Sequence, residues 1–275
     1  MELSFILWNT QRKALYKEVT DLVFEQNAEF VILIENIADP WQLVNQLSAS
    51  TGKQFYYHKN IQFKKGHFYS INSDSSTSTL YEHPRYCIKE IKTSNALFNL
   101  CIVHLPSKNN WGNQDDHNAM CTQLIEDINF VEAQNKHRRT IIVGDFNMNP
   151  FENGMINAFG LHSVMNRDIA KTNNREIYNK KFEFLYNPMW SFLGDFGRGN
   201  VNGTHYHNTS TYASHFWNMY DQILIRPDLL DNFDDNKLFI IEKINGVSLT
   251  KIIRATTRID DSISDHLPLN FKLDF

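Results

Sequence analysis

The chain has few cysteines, few glycines and prolines, no surplus of positive charge and no long apolar run. Each shortage excludes something. The three cysteines, Cys87, Cys101 and Cys121, lie far apart and form no C-x-x-C pair. A zinc knuckle or a disulfide framework is therefore not expected, and reduced core thiols are. With 11 glycines and 7 prolines in 275 residues, collagen-like and linker compositions are excluded. A formal net charge of -4 argues against a broad basic surface for nucleic acid, so any polyanion contact must be local or carried by a bound cation. No apolar run approaches membrane-spanning length, and the opening "MELSFILWNTQRK" carries an acid where a secretion signal needs bases. A soluble, cytoplasmic protein without membrane contact is the expectation. The sequons "NGT" at Asn202 and "NTS" at Asn208 then read as chance matches.

What the chain does have is 42% hydrophobic and 13% aromatic residues, enough for a large packed core. Its length fits one large domain or two small ones. Without repeats or linker composition, a single domain over 1–275 is the simplest reading. Short, continuous apolar runs recur: "LSFILW" (3–8), "FVILI" (30–34), "LFNLCIVHL" (97–105), "TIIVG" (140–144), "QILIR" (222–226) and "LPLNFKL" (267–273). These predict strands buried on both faces. Helical spacing lies between them, through Leu15, Val19 and Leu22 within 11–27, and through Met120, Leu124, Ile128 and Val131 within 114–135. "DPWQLVNQLSAS" from Asp39 has a helix-entry signature. The Ser/Thr-rich "INSDSSTSTL" reads as a loop or hairpin tip. The irregular segment 187–218, rich in Gly, Asn, His and aromatics, reads as a substrate-side loop.

The strand ends carry the chemistry. "LSFILW" runs into Asn9, "FVILI" into Glu35, and "LCIV" into His104. "TIIVG", with a turn read at Gly144, leads to Asp145 and Asn147. "QILIR" is entered through Asp221, and "LPLNFKL" through Asp265 and His266. Singly, each has a plain reading as a turn residue, an exposed strand end or a satisfied histidine. Together, if alternate strands run in opposite directions, they fall on one rim. Several carboxylates on one rim repel one another unless a cation joins them. Oxygen donors suit Mg2+, Mn2+ or Ca2+ rather than zinc.

In order and spacing, "ILWN", "VILIEN", "IVHLPS", "IIVGDFNMNP", "YDQILI" and "ISDHLPL" resemble the motifs of the endonuclease/exonuclease/phosphatase superfamily, the deoxyribonuclease I-like fold. The resemblance runs from Asn9 to Pro268. It implies a four-layered α/β sandwich of two packed mixed β-sheets flanked by helices, and a metal-dependent hydrolase of phosphoester bonds. It implies that Asn9, Glu35 and Asp265 hold Mg2+, or Mn2+. It implies that Asp145 activates the attacking water, that Asn147 fixes Asp145 and a phosphate oxygen, and that Asp221 orients His266. His266 and His104 would stabilise phosphoryl oxygens; relatives often pair a histidine at the His104 position with an earlier glutamate, for which Glu82 is a candidate by proximity. Arg85 stands where relatives often contact substrate.

"VHLPS" stands where apurinic-site members of the superfamily carry Tyr-x-Pro-Asn, which argues against abasic-site repair. A nuclease is the favoured reading, with DNA ahead of RNA. The alternatives are a phosphatase or phosphodiesterase acting on a small molecule, a lipid headgroup or a protein–nucleic-acid adduct, and a non-catalytic binding module. Trp190, Arg198 and Tyr206 are substrate-binding candidates, by stacking or by backbone contact. His205, His207 and His215 are read as polar loop residues rather than a zinc site. A cytoplasmic nuclease needs restraint, so strict substrate selectivity or a regulatory protein partner is expected.

Overall fold

The fold was analysed in a computed structural model, which describes residues 1–71, 76–108, 114–207 and 215–275. Thirteen strands build two sheets. They are β1 (Glu2–Asn9), β2 (Phe30–Ile34), β3 (Phe55–Tyr57), β4 (Gly66–Ile71), β5 (Ser76–His83), β6 (Tyr86–Lys92), β7 (Leu97–His104), β8 (Thr140–Asp145), β9 (Ser163–Val164), β10 (Leu185–Tyr186), β11 (Asp221–Ile225), β12 (Phe239–Ile240) and β13 (Leu269–Asp274). The six-stranded sheet has the order β12-β13-β1-β2-β4-β3, and the seven-stranded sheet β5-β6-β7-β8-β11-β10-β9. The three long helices among the described residues are α1 (Tyr16–Glu25), α2 (Pro40–Thr51) and α3 (Gln114–Asn135).

Alternation along each strand explains the layers. Phe5 and Leu7 of β1, Phe30 and Ile32 of β2, Phe98 and Leu100 of β7, and Ile141 and Val143 of β8 point into one core between the sheets. Their neighbours point outward. Ile6, Trp8, Val31 and Leu33 meet α1 and α2, whereas Cys101, Val103 and Ile142 meet Leu124, Ile128 and Val131 of α3. Both faces of each sheet are thus covered, which is why these strands read as unbroken apolar runs. The result is the expected four-layered sandwich. Phe5 stacks between Phe30 and Phe271, with ring centroids 4.6 and 4.7 Å away, and so ties three adjacent strands together. All three cysteines are buried and free. Among the described residues, no helix is long and apolar enough to cross a membrane.

Three local expectations are corrected. Residues 76–80, expected as part of a loop or hairpin tip, are strand, and β4 and β5 belong to different sheets rather than pairing as a hairpin; residues 72–75 of that segment lie outside the described residues, as does Asn208. Nor does the rim arise from simple alternation of direction. β1 runs parallel to β2 and β7 parallel to β8, so Asn9, Glu35, His104 and Asp145 share one end. β11 and β13 are antiparallel to β8 and β1 and enter from that same end.

The third correction concerns Gly144, which is not a turn. It pairs with Val103 and Gln222 inside β8, with φ +149°, and a Cβ there would sit 2.0 Å from the Val103 carbonyl oxygen. Glycine is required because β7 approaches too closely for any side chain. Gly144→Ala is expected to cost about 2–4 kcal/mol from strain and overpacking, a fall in Tm of roughly 5–15 °C. Thermal unfolding checks this, and an unchanged Tm would mean that β7 can move aside.

Candidate active site

The rim opens into a cleft of about 620 Å3 whose lining includes Asn9, Glu35, Arg85, His104, Asp145, Asn147, Asp265 and His266. Asp221 lies just behind, opposite Asp145 in the β8–β11 ladder. Eight of the residues expected to act on substrate or metal therefore line one space, and a ninth backs it.

Asp145 is held at both oxygens. Its Oδ1 accepts from the Asn147 backbone N–H at 2.8 Å, and its Oδ2 from Asn9 Nδ2 at 2.9 Å. Asn147 makes this contact with φ +52°, a left-handed conformation that asparagine tolerates better than most residues. Its side-chain amide is spent elsewhere, donating to the Leu105 carbonyl at 2.9 Å. The backbone of Asn147, not its side chain, thus orients Asp145. Asp145 is 1% exposed. Burial, together with the nearby Asp221 charge, raises its pKa, while His266 and His104 pull the other way. A fixed carboxylate of raised basicity suits it to accept a proton from water.

His266 is 7% exposed, and Asp221 Oδ2 lies 2.6 Å from its Nδ1. Burial opposes a charged ring. The charge and hydrogen bond of Asp221, helped by Asp145 and Asp265, outweigh that and lift the pKa to about 10. His266 is an imidazolium at neutral pH, with Nδ1 donating to Asp221. Its segment is anchored from three sides. Trp8 Nε1 donates to the His266 carbonyl at 2.9 Å, Ser264 Oγ donates to the Asn9 carbonyl at 2.7 Å, and the His266 N–H donates back to Ser264 Oγ at 3.1 Å. Thr204 supports Asp221, its Oγ1 accepting from the Asp221 N–H at 3.0 Å.

His104 differs from His266. Burial lowers its pKa despite Asp145 and Glu35 nearby, so it is a neutral ring. Its Nε2 lies 3.6 Å from Glu35 Oε1 and 3.8 Å from Asp145 Oδ2. These carboxylates, and not Glu82, are its neighbours. Glu82 accepts from the backbone N–H groups of Ile61 and Gln62 and so ties down that loop.

Asn9, Glu35 and Asp265, the oxygen donors expected to hold a hard divalent cation, line the same cleft; Asn9 Oδ1 accepts from the Gln11 N–H at 3.0 Å, and Asp265 Oδ1 is buried with no hydrogen-bond partner, a position that a cation would satisfy. Glu35 (φ +53°) faces Lys65 at 3.3 Å and Arg12 at 3.4 Å. Asp145, Asp221 and His266 also lie within ligand spacing of one another, but there the imidazolium already supplies the positive charge. His205 joins Asp265 and His266 in a second such group. Far from being a solvated loop residue, its ring packs on Tyr220 and His266, and its backbone bridges that of His266.

Three of the substrate-binding candidates are not in the lining. Arg198 lies over the Phe192 ring. Tyr206 packs against Trp217, with Arg258 over its ring. Trp190 sits edge-on to Phe151. Arg85 is in the lining, and its carbonyl accepts from the His104 N–H at 2.8 Å. The sequence reading missed Arg12, Lys65 and Lys108, which with Arg85 form a cationic rim on an otherwise acidic chain. Their motifs, "NTQRK", "FKKGH" and "LPSK", look like any solvated loop. Only their convergence from separate loops marks them.

The Asp221–His266 pair predicts a pH effect. The pKa of His266 is raised in the folded state above its unfolded value, so its contribution is complete below about pH 6.5 and is lost as pH rises toward about 10. In EDTA, the wild type should lose stability across that window relative to Asp221→Asn, which should be less stable at pH 6.5 and show a flatter profile. Urea unfolding from pH 6 to 10 measures the difference. Parallel profiles would mean that the pair carries no charge-dependent stabilisation.

The comparisons with known proteins agree with this architecture. A truncated TDP2 of Caenorhabditis elegans superposes with a TM-score of 0.58 at 15% identity, over 100% of this chain and 98% of that one. The endonuclease domain of TRAS1, a telomere-specific non-LTR retrotransposon, gives 0.55 at 14%, over 99% of both chains. The human Nocturnin catalytic domain with bound sulfate gives 0.56 at 14%, over 100% of this chain and 94% of that one. At such identities the likeness is one of fold. No curated protein matches the chain in sequence. The model of the Endonuclease/Exonuclease/phosphatase family matches residues 6–266, and the chain therefore belongs to that family of divalent-metal-dependent enzymes that hydrolyse phosphoester bonds.

Proposed function

We propose that the chain, acting as one domain over residues 1–275, is a nuclease that hydrolyses nucleic-acid phosphodiester bonds with Mg2+, or Mn2+. The observation that carries this reading is the pairing of opposite roles in one cleft. A buried aspartate held at both oxygens faces a buried imidazolium, inside a rim of Arg12, Lys65, Arg85 and Lys108. A phosphodiester is anionic and repels nucleophiles. It needs positive charge on its oxygens, a positioned water and support for the leaving oxygen.

Asn9, Glu35 and Asp265 would hold the ion, which when bound polarises the phosphoryl group as a Lewis acid. Asp145 takes the proton from the attacking water, its direction fixed by Asn9 and Asn147. His266, kept charged by Asp221, donates from Nε2 to a phosphoryl oxygen. His104, neutral, offers a hydrogen bond without adding charge beside Glu35. The rim cations draw in the polyanion and hold its backbone on both sides of the cut, and the effect falls as salt rises. The fold neighbours include an endonuclease domain by name, which supports a polynucleotide substrate.

Asp145→Asn and His266→Ala are each expected to lower kcat by at least about 10²–10⁴-fold, the usual contribution of one acid–base group, with circular dichroism unchanged. EDTA should abolish activity and added Mg2+ or Mn2+ restore it. The assay is cleavage of plasmid, single-stranded DNA and RNA, with bis-p-nitrophenyl phosphate alongside. Hydrolysis of the small ester alone would favour a phosphodiesterase of small molecules, lipid headgroups or adducts. Undiminished turnover in a variant would remove that residue from the mechanism.

A further inference from the structure

Phe151 follows "GDFNMNP" directly and is 44% exposed. Exposed aromatics are not scarce in this protein, and most have no relation to the cleft: Tyr178 and Phe196 stand almost wholly in solvent and are not among its lining residues. Phe151 is not a lining residue either, but unlike those two it is joined to residues that are. On one side its ring meets His215, a lining residue, edge to face at 6.2 Å and 85°. On the other side its chain neighbour Glu152 binds Lys108, a second lining residue, at 2.6 Å. Trp190 backs it at 6.3 Å and 63°.

The turn that carries Phe151 is rigid. The Glu152 N–H donates to the Asn149 carbonyl at 3.0 Å, and the Asn149 N–H donates to Glu152 Oε1 at 2.8 Å. The Asn149 side chain is locked to Asn218 at 2.9 Å and to the Met219 N–H at 2.8 Å. The same short stretch begins at Asp145. The distance from the water-activating carboxylate to the Phe151 ring is therefore set by six residues of pinned backbone. An exposed hydrophobic ring held rigidly against His215, beside a polar, cation-rimmed cleft, costs solvation with no gain in the core. It gains when a flat apolar surface covers it.

We propose that Phe151, backed by Trp190 and flanked by His215, is the stacking platform for an unpaired nucleobase next to the scissile phosphate. This deepens the nuclease reading and rests on it. Lys108, tethered to Glu152 and lying over the Tyr220 ring at 5.6 Å, is the cation for the phosphate that belongs to that base, so one ring and one cation read one nucleotide. A base inside a duplex is already stacked on its neighbours, and the platform therefore selects single-stranded segments, ends or flipped-out residues. Trp190 thereby acts on substrate through Phe151, as a positioning residue.

The test uses matched single-stranded oligonucleotides that carry either a normal base or a base-free sugar beside the cut site. Cleavage is measured in Mg2+ or Mn2+, and binding by fluorescence anisotropy in the Asp145→Asn background. Wild type should prefer the base-bearing strand by about 5- to 150-fold in KM and Kd, the range expected for one base on one aromatic ring. Phe151→Ala should abolish that preference by weakening only the base-bearing strand, and Phe151→Trp should retain it. Trp190→Ala should reduce the preference. Should the alanine variant fail to fold, Phe151→Leu keeps the volume without the ring and is expected to lose the preference as well. A wild type that cuts both strands with the same KM, or a Phe151→Ala or Phe151→Leu variant that keeps the full preference, would overturn the platform and leave the nuclease reading intact. A wild type that cuts plasmid but neither single strand would overturn the platform alone, whereas one that cuts neither strand and no plasmid or RNA in either metal would overturn the nuclease reading itself, and the platform with it.

Discussion

A charged histidine buried against an aspartate governs the arrangement of the cleft. An imidazolium away from water is costly unless its partners are fixed around it. The protein meets that requirement with structure on every side. Asp221 lies in a ladder directly opposite Asp145, so the two carboxylates that share His266 are held apart by sheet geometry rather than by loops. Trp8, Ser264 and Thr204 secure the backbone around them. Because His266 carries the charge, Asp145 can stay buried as a carboxylate, and because Asp145 is pinned by Asn9 and Asn147, it cannot collapse onto the imidazolium. The two sheets serve chiefly to bring these fixed positions to one rim.

The two histidines show how a single rim assigns different work to the same residue type. His266 has a carboxylate in hydrogen-bonding contact with Nδ1 and stays protonated. His104 has carboxylates only at 3.6 and 3.8 Å, where burial prevails and the ring is neutral. A difference of about one ångström in partner distance, with Lys65 and Arg85 also near His104, separates a charged ring from a neutral one. Both are placed by strand ends, and neither requires a specialised loop.

Much of this was readable in the chain itself. Strands buried on both faces announce themselves as unbroken apolar runs, and a polar residue closing each run marks the rim. Three helices follow from spacing or an Asp-Pro entry. What could not be read was anything that depends on two distant segments meeting. Gly144 looks like a turn until β7 is known to press on it. Arg12, Lys65 and Lys108 look like ordinary solvated bases until their loops converge. His205 looks like a polar loop residue until its strand bridges His266. Glu82 seemed a partner for His104 because it is near in sequence, yet Glu35, far earlier in the chain, is the one that reaches it. Local pattern reports which face a residue takes, whereas long-range pairing decides what it touches.

The union of the first strand with the last has a consequence for when the enzyme comes into being. Asn9 belongs to β1, while Ser264, Asp265 and His266 lead into β13, which pairs along nearly the whole of β1. A ribosome must therefore deliver the chain through His266 and β13 before the cleft can close. Until then β1 lacks an edge partner, Trp8 lacks its acceptor, and Asp145 has no imidazolium beside it. The order of synthesis thus governs assembly, and chains interrupted before residue 264 are released with an incomplete cleft.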